Sequence, residues 1–313
     1  MHLIWNNDSI KTGTINMGED IKKSIFNVWH LVAFAIVFIW GCTLVSTKVL
    51  IQAGMSELEI FVMRAAIAYI AILFISPRKL WADSLKDEMM MVLLGITGGS
   101  LYFITENMAV NYTYVNNVGF IASISPIVTT ALVLLTYKNI PIRKILFIGT
   151  AVAIAGVAIV VLKGHVELHP KGDMLAILTM VSFGVYGYFL KFMGNKYDSV
   201  FITRKMFIYG LLTAMPLFLV YPWQFPLENL LDVKVMLNLL FLALIASFAC
   251  FLLWTFVVNK LGAVTSNNYI YLVPFSTVIF SAIVLHEEMT FIAWIGCGLI
   301  ILGVYMANIG CRD

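Results

Sequence analysis

The chain alternates between long apolar runs and short polar segments. Each run has roughly the 20 residues that a helix needs to cross the hydrocarbon core of a bilayer. The runs are continuously apolar rather than alternating, which favours helices over barrel strands. They lie near residues 29–50, 58–76, 89–109, 115–136, 144–162, 174–193, 200–221, 235–258, 262–285 and 291–309. The pattern predicts an all-α integral membrane protein with ten transmembrane helices.

The composition excludes several classes of protein. Of the 313 residues, 61% are apolar and only 12% are charged, whereas about a quarter of a soluble domain is charged. A water-soluble enzyme, a nucleic-acid-binding protein and a disordered chain are all inconsistent with these values. We therefore expect the lipid bilayer as the main environment and no nucleic acid as a partner. The four cysteines lie in spans or at the C-terminal end, and no disulfide is predicted.

The positive charges predict the orientation. With the N-terminus in the cytoplasm, inside segments carry thirteen Lys and Arg residues, and outside loops carry Lys163, Lys171 and Lys234. Residues 1–28 lack a signal-peptide pattern and are expected to form a disordered cytoplasmic tail. The sequence thus predicts a multi-pass protein of the cell (plasma or inner) membrane with both termini, including residues 310–313, in the cytoplasm.

The two halves of the chain repeat each other. Residues 109–126 read AVNYTYVNNVGFIASISP and residues 257–274 read VVNKLGAVTSNNYIYLVP, with an Asn and a final Pro at matching places 148 positions apart. Five spans per half is an odd number, so the second copy would enter the membrane from the opposite side. We predict two inverted five-helix repeats, residues 29–162 and 174–309, joined by an outer linker (163–173) and enclosing a central cavity.

These motifs resemble the EamA-type branch of the drug/metabolite transporter superfamily over residues 29–309. The matching positions are Trp40-Gly41 through Lys48, Arg64, ENMAVNYT (106–113), Pro126, Gly149, Gly156, GDMLAIL (172–178), Pro274 and LHEEMTFIAWIGCGLIILGV (285–304). The resemblance implies ten helices, cytoplasmic termini, a central cavity and export of small metabolites such as amino acids. The family tends to place a glutamate after each span that contains the proline. Glu287 occupies that place in the second half, but Asn139 occupies it in the first half, which departs from the family pattern.

Pro126 and Pro274 fall in the middle of spans 4 and 9 and predict helix kinks. Each proline removes one backbone hydrogen bond, which frees the carbonyls of Ala122 and Ile270. Groups freed in this way need other partners within the hydrocarbon, so the kinks are expected to face protein or a cavity. Packing bends without a functional role are the alternative.

Glu106 is the most informative single residue, because charged side chains inside spans usually face the protein interior and have a function. It is a candidate for binding a substrate ammonium group or for exchanging a proton. A structural position near the outer end of span 3 is the alternative. Lys48 and Arg64 lie near the outer ends of spans 1 and 2. They could bind a substrate carboxylate or simply extend to the lipid headgroups.

Polar and aromatic residues at corresponding places in the two halves complete the predicted site. A cavity with one acidic and one aromatic wall would suit an amphipathic solute. For the polar members, hydrogen bonding between helices is the alternative; for the aromatic members, it is core packing. The candidate substrate-binding residues are Trp40, Asn117, Ser123, Tyr186, Trp254, Asn267, Asn268 and Tyr271, together with Glu106 and Lys48.

No cofactor or metal is predicted. His165 and His169 stand four apart around Glu167, but Gly and Pro flank them in an outer loop, and a solvated loop is preferred to a metal site. His286, beside two glutamates at an outer turn, is interpreted in the same way. The chain lacks a phosphate-binding Gly-Lys loop, so direct use of ATP is not expected.

The sequence favours a secondary transporter that exports small metabolites such as amino acids by alternating access, as a monomer, with proton exchange at Glu106 left open. One alternative is a carrier for organic anions or sugar phosphates, which would need several basic residues at the midplane. Another is a membrane-embedded enzyme, which would need a nucleophile with a nearby base. A structural or sensor membrane protein would not require a duplicated, inverted architecture.

Overall fold

The computed structural model describes residues 8–76, 79–136, 143–162, 169–285 and 291–310. These residues form helices with no strand among them, which confirms the all-helical prediction for this part of the chain. The helices are α1 (Asp8–Gln52), α2 (Glu57–Leu73), α3 (Leu85–Tyr112), α4 (Val115–Thr136), α5 (Lys144–Leu162), α6 (Pro170–Gly194), α7 (Ser199–Leu219), α8 (Val233–Leu261), α9 (263–285) and α10 (Phe291–Gly310).

Six helices are long and apolar enough to cross a membrane: α1 from Val28 onward, α3, α4, α6, α7 and α8. Shorter apolar stretches occupy Lys144–Ile159 of α5 and Trp294–Gly310 of α10. The α2 helix has 17 residues, slightly fewer than the roughly 20 of a typical span. The chain is thus built for several passes through a bilayer, while the count of ten spans stays a prediction.

The first helix begins earlier than the apolar run suggested. We expected residues 1–28 to be a disordered tail, but α1 starts at Asp8 and runs without interruption into the apolar segment. A helix that is already nucleated extends at little cost per residue. The prediction of disorder is therefore wrong from Asp8 onward.

The α4 and α9 helices are each interrupted a few residues before Pro126 and Pro274, the positions of the predicted kinks. In α4, a turn at residues 122–123 separates Val115–Ile121 from Ile124–Thr136. In α9, a short 3-10 helix, Tyr269–Leu272, precedes Val273 and Pro274. The freed carbonyls find local partners: Ser125 N–H donates to the Ala122 carbonyl at 3.1 Å, and Val273 N–H donates to the Ile270 carbonyl. Tight i,i+3 bonds thus replace the bonds that the prolines remove.

Two π-helical segments interrupt α3 and α8, a feature that the sequence did not reveal. They span Ile96–Ser100 and Phe241–Ala249. Shifting the first segment by the 148-residue repeat gives 244–248, which lies inside the second. Such segments widen the helix locally and often mark functional sites.

Helices α5 and α10 pack against each other in antiparallel orientation through glycines. A Cβ atom added at Gly149 would lie 2.3 Å from the Ala307 nitrogen, and one added at Gly310 would lie 2.4 Å from the Leu146 nitrogen. Small residues allow such close backbone approach between helices in a membrane.

We expect Gly303→Ala to destabilise the protein by about 1–3 kcal/mol. The added Cβ would lie 2.3 Å from the Ala153 backbone nitrogen, so the two helices would have to separate. Gly298→Ala, in the same helix, is the matched control, because a Cβ there meets nothing within 4 Å. Thermal unfolding in detergent measures the difference. Equal unfolding temperatures for the two variants would contradict the close packing.

Candidate functional site

A small cavity lies where α1, α3 and α6 meet the interruptions in α4 and α9. Its volume is about 30 Å³, enough for a water molecule. Ala122 and Ile270, whose carbonyls the prolines would free, are both in its wall. The full lining is Trp40, Leu44, Tyr102, Glu106, Val118, Ala122, Met180, Phe183, Ile270 and Val273.

Glu106 supplies a carboxylate to this cavity. Its side chain is only 5% exposed, and the Tyr102 hydroxyl, one helical turn earlier, donates a hydrogen bond to Oε1 at 2.7 Å. A charged group at such a position is costly unless it is paired or has a function. The structure therefore orients Glu106 toward the cavity; whether it binds a ligand stays a prediction.

Aromatic rings form another part of the wall and the layer behind it. Trp40 contacts Trp254, Phe251 and Phe183, with ring centroids 5.0, 5.2 and 5.7 Å apart. The Trp40 indole N–H donates to the Ala246 carbonyl at 3.2 Å, and Ala246 belongs to the π-helical part of α8. Trp40 is thus fixed in the cavity wall by a backbone group in the widened segment of α8.

Trp254 and Tyr186, both predicted as site residues, lie in the aromatic layer rather than in the cavity wall. Both are completely buried. The Tyr186 ring lies where a Cβ at Gly98 would be, 2.3 Å from Cδ2, and Phe183 is 5.5 Å away between ring centroids. Neither residue lines the cavity, and a role for them in binding stays a prediction.

Three polar candidates of α9 lie outside the wall of the cavity. The Asn267 side-chain amide donates to the Ala263 carbonyl at 3.0 Å, and Asn268 donates to the Asn308 side chain at 3.0 Å. Tyr271 is buried and is not among the residues that line the cavity. Asn268 thus contacts α10 and Asn267 its own helix, and a binding role for the three residues stays a prediction.

Asn117 and Lys48 likewise have structural partners away from the cavity. The Asn117 amide donates to Thr113 Oγ1 at 3.1 Å and lies 3.4 Å from Asp173 Oδ1. Lys48 Nζ donates to the Val110 carbonyl at 2.9 Å, near the end of α3, where basic side chains often cap helices. Ser123 is buried beside the lining residue Ala122, and its hydroxyl has no hydrogen-bond partner among the described residues.

Arg64 is buried, which does not fit the alternative that it extends to the lipid headgroups. It is 1% exposed, its Nε–H donates to Ser247 Oγ at 2.9 Å, and its guanidinium carbon lies 4.3 Å from the centroid of the Phe103 ring. Packing of α2 against α3 and α8 encloses the side chain, so it cannot extend along the lipid. Sequence position alone gave no sign of this burial.

A second polar cluster joins the start of α3 to α7. Lys205 forms an ion pair with Glu88, whose same oxygen accepts a hydrogen bond from the Tyr209 hydroxyl. Asp87 binds Lys196 at 2.9 Å and accepts from the Tyr197 hydroxyl at 3.0 Å. Burial raises the pKa of Tyr197, so its phenol stays protonated and can donate. We call these residues the Lys205 cluster.

A second, larger groove and the search for a metal site do not add residues to the candidate site around Glu106. A groove of about 280 Å³ between α1, α9 and α10 contains none of the candidate binding residues. Among the described residues there is no group of three metal-ligating side chains, and the His169 backbone N–H donates to Asp173 Oδ2. Outside the described residues lie His165, Glu167, His286, Glu287 and Asn139.

Two stretches of the chain, residues 27–162 and 170–309, match the EamA-like transporter family. The chain belongs to this family. An uncharacterized transporter from Archaeoglobus fulgidus is 26% identical to this EamA-like protein over 292 residues, covering 89% of this chain and 96% of the relative. A probable terminal-alkyne amino-acid exporter from Streptantibioticus cattleyicolor is 24% identical over 285 residues, covering 90% and 93%.

A crystal structure also resembles this EamA-like protein, with a TM-score of 0.67 over 92% of this chain and 99% of the other. At 15% identity, this likeness shows a shared fold. Family, relatives and apolar helices together make the protein a multi-pass membrane transporter.

Proposed function

We propose that this EamA-like transporter exports small amphipathic metabolites, with amino acids as the first substrate class. The observation that carries the proposal is the buried Glu106 carboxylate in a cavity whose other walls are aromatic and aliphatic. The carboxylate suits an ammonium group, and the rings suit an apolar side chain. The name of the Streptantibioticus cattleyicolor relative, a probable amino-acid exporter, supports the same class.

The proposed architecture is ten spans in two inverted repeats. Three observations support it: the family matches the chain twice, the proline breaks lie 148 residues apart, and the two π-helical segments correspond at the same offset. The cavity draws its walls from both proposed halves, as expected of a carrier whose site lies between repeats. A single chain supplies the whole cavity, so the monomer is the proposed working unit.

The proposed location is the cell membrane, with both termini in the cytoplasm. The distribution of Lys and Arg over the loops supports this orientation. The Lys205 cluster then lies at the cytoplasmic ends of α3 and α7. Because these two helices belong to different proposed halves, the cluster would hold the halves together on the cytoplasmic side.

The present cavity is too small for the proposed substrates. Small-molecule sites generally measure about 300–1,000 Å³, against about 30 Å³ here. Transport of such substrates would therefore require the cavity to widen around Glu106. Alternating access by rocking of one half against the other is the proposed mechanism.

A carrier for organic anions is the second candidate, and buried Arg64 is the observation that favours it. A sugar phosphate carries about two negative charges and would require more than one basic residue. Lys205 is paired with Glu88, and Lys48 binds a backbone carbonyl. One arginine balanced by Glu106 fits a zwitterion better than a dianion.

The proposal is tested by release from cells that lack their own exporters. Cells that express the protein are loaded with dipeptides, and amino acids in the medium are compared with those from empty-vector cells. We expect faster release of amino acids with apolar side chains. Equal release of every amino acid from both cell types, with the protein detected in the membrane, would reject amino-acid export.

A further inference from the structure

Arg64 is a buried charge whose hydrogen-bonding capacity is only partly used. The guanidinium offers five N–H donors. Nε–H binds Ser247, whereas Nη1 has no hydrogen-bond partner among the described residues. Over the same part of the chain, no carboxylate lies within 4 Å of it. A buried charge without an ionic partner is costly, and charges inside spans usually mark sites of function.

The surroundings connect Arg64 to the cavity. Its guanidinium lies over the Phe103 ring, and Phe103 contacts Tyr102 with 4.8 Å between ring centroids. Tyr102 lines the cavity and holds Glu106. The contacts Arg64–Phe103, Phe103–Tyr102 and Tyr102–Glu106 thus connect the guanidinium to the carboxylate.

Three other basic side chains within the helices donate to protein acceptors. Lys48 binds the Val110 carbonyl, Lys205 pairs with Glu88, and Arg204 donates to Ser76 Oγ at 2.7 Å. The Nη1 group of Arg64, by contrast, is available to donate a hydrogen bond to a negatively charged group of a ligand. Ser247, its partner, lies in the π-helical segment of α8, which is the kind of segment found at functional sites.

We propose that Arg64 binds the carboxylate of the substrate while Glu106 binds its ammonium group, so that the site selects α-amino acids in their zwitterionic form. This inference rests on the proposed function and assigns the substrate's second charge. Arg64 does not line the cavity. Movement of Tyr102 as the cavity widens would open the path from Glu106 to the guanidinium. A bidentate arginine fork suits a carboxylate better than a lysine does.

The test uses the purified full-length protein in detergent and three related probes. L-Leucine, L-methionine and L-phenylalanine are first compared by thermal shift, and the strongest ligand is kept. That amino acid is then titrated beside its decarboxylated amine and its deaminated acid. We expect the wild-type protein to prefer the amino acid over both analogues.

The Arg64→Met variant is expected to bind the amino acid about 10- to 100-fold more weakly and no better than the amine, since it loses a charge-assisted hydrogen bond. Arg143→Met, which makes the same substitution at an exposed position just before α5, is the matched control and should keep the wild-type preference. Arg64→Lys, which keeps the charge, should recover part of the affinity and guards against a folding defect in Arg64→Met.

The outcomes separate the two levels of the proposal. If the wild-type protein binds the amino acid and Arg64→Met keeps the full preference over the amine, the Arg64 assignment is wrong and the transporter proposal stands. If the wild-type protein responds to none of the three amino acids, both the amino-acid proposal and the Arg64 site are rejected.

Discussion

Replacing Glu106 with glutamine is expected to abolish amino-acid release while leaving the amount of folded protein unchanged. Glutamine keeps the size of the side chain, and its carbonyl can still accept the Tyr102 hydrogen bond. What disappears is the negative charge that would pair with a substrate ammonium group. Loss of a charge-assisted hydrogen bond in a buried site weakens binding by roughly 10- to 100-fold. Release from dipeptide-loaded cells measures this effect.

The matched control for this substitution is Glu228→Gln. This substitution removes the same charge at an exposed position in the short 3-10 helix before α8. The Glu228→Gln variant should release amino acids at the wild-type rate. Unfolding temperature separates function from structure, because a variant that unfolds at the wild-type temperature yet releases no amino acids has lost the site and not the fold. If Glu106→Gln released amino acids at the wild-type rate, the carboxylate would have no part in the site.

Replacing Lys205 with methionine is expected to destabilise the protein by about 3–5 kcal/mol, because Glu88 would keep a buried, unpaired charge. The Lys205 and Glu88 side chains are only 5% and 13% exposed, so water compensates little. The double variant Lys205→Met with Glu88→Gln removes both charges and should recover much of the loss. Thermal unfolding of the single and double variants in detergent measures the coupling.

An exposed ion pair just before α3 provides a comparison for the loss of stability. Lys79 and Asp83 lie 2.5 Å apart with side chains 45% and 67% exposed, and such pairs contribute about 0–1 kcal/mol. Lys79→Met should therefore change stability little. A loss for Lys205→Met as small as that for Lys79→Met would show that the Lys205 cluster does not hold α3 and α7 together.

The helices and their breaks could be predicted from the sequence for clear physical reasons. A chain inside lipid must satisfy its backbone hydrogen bonds within each segment, so continuous apolar runs become helices. Pro126 and Pro274 cannot donate to the preceding turn, and both helices are interrupted a few residues before them. Glu106 stood out because few charges occur inside the runs.

The direction in which each side chain points could not be predicted, because helices that are apolar all round give little information about their rotation. Asn268 and Trp254 lie in the right spans but face other helices or other rings. Arg64 looked like an interfacial residue until the packing of α2 against α3 and α8 enclosed it. The sequence did not predict the two π-helical segments. Only the first of them contains glycines, Gly98 and Gly99.

The most direct test of the central claim, that the protein carries amino acids through a site at Glu106, is exchange in reconstituted vesicles. Purified protein is placed in liposomes that contain unlabelled leucine, methionine and phenylalanine, and entry of the labelled amino acids is followed. We predict entry well above that of protein-free liposomes for the wild-type protein and for Glu228→Gln, and none for Glu106→Gln. Entry no faster than in protein-free liposomes for all three amino acids would contradict the claim.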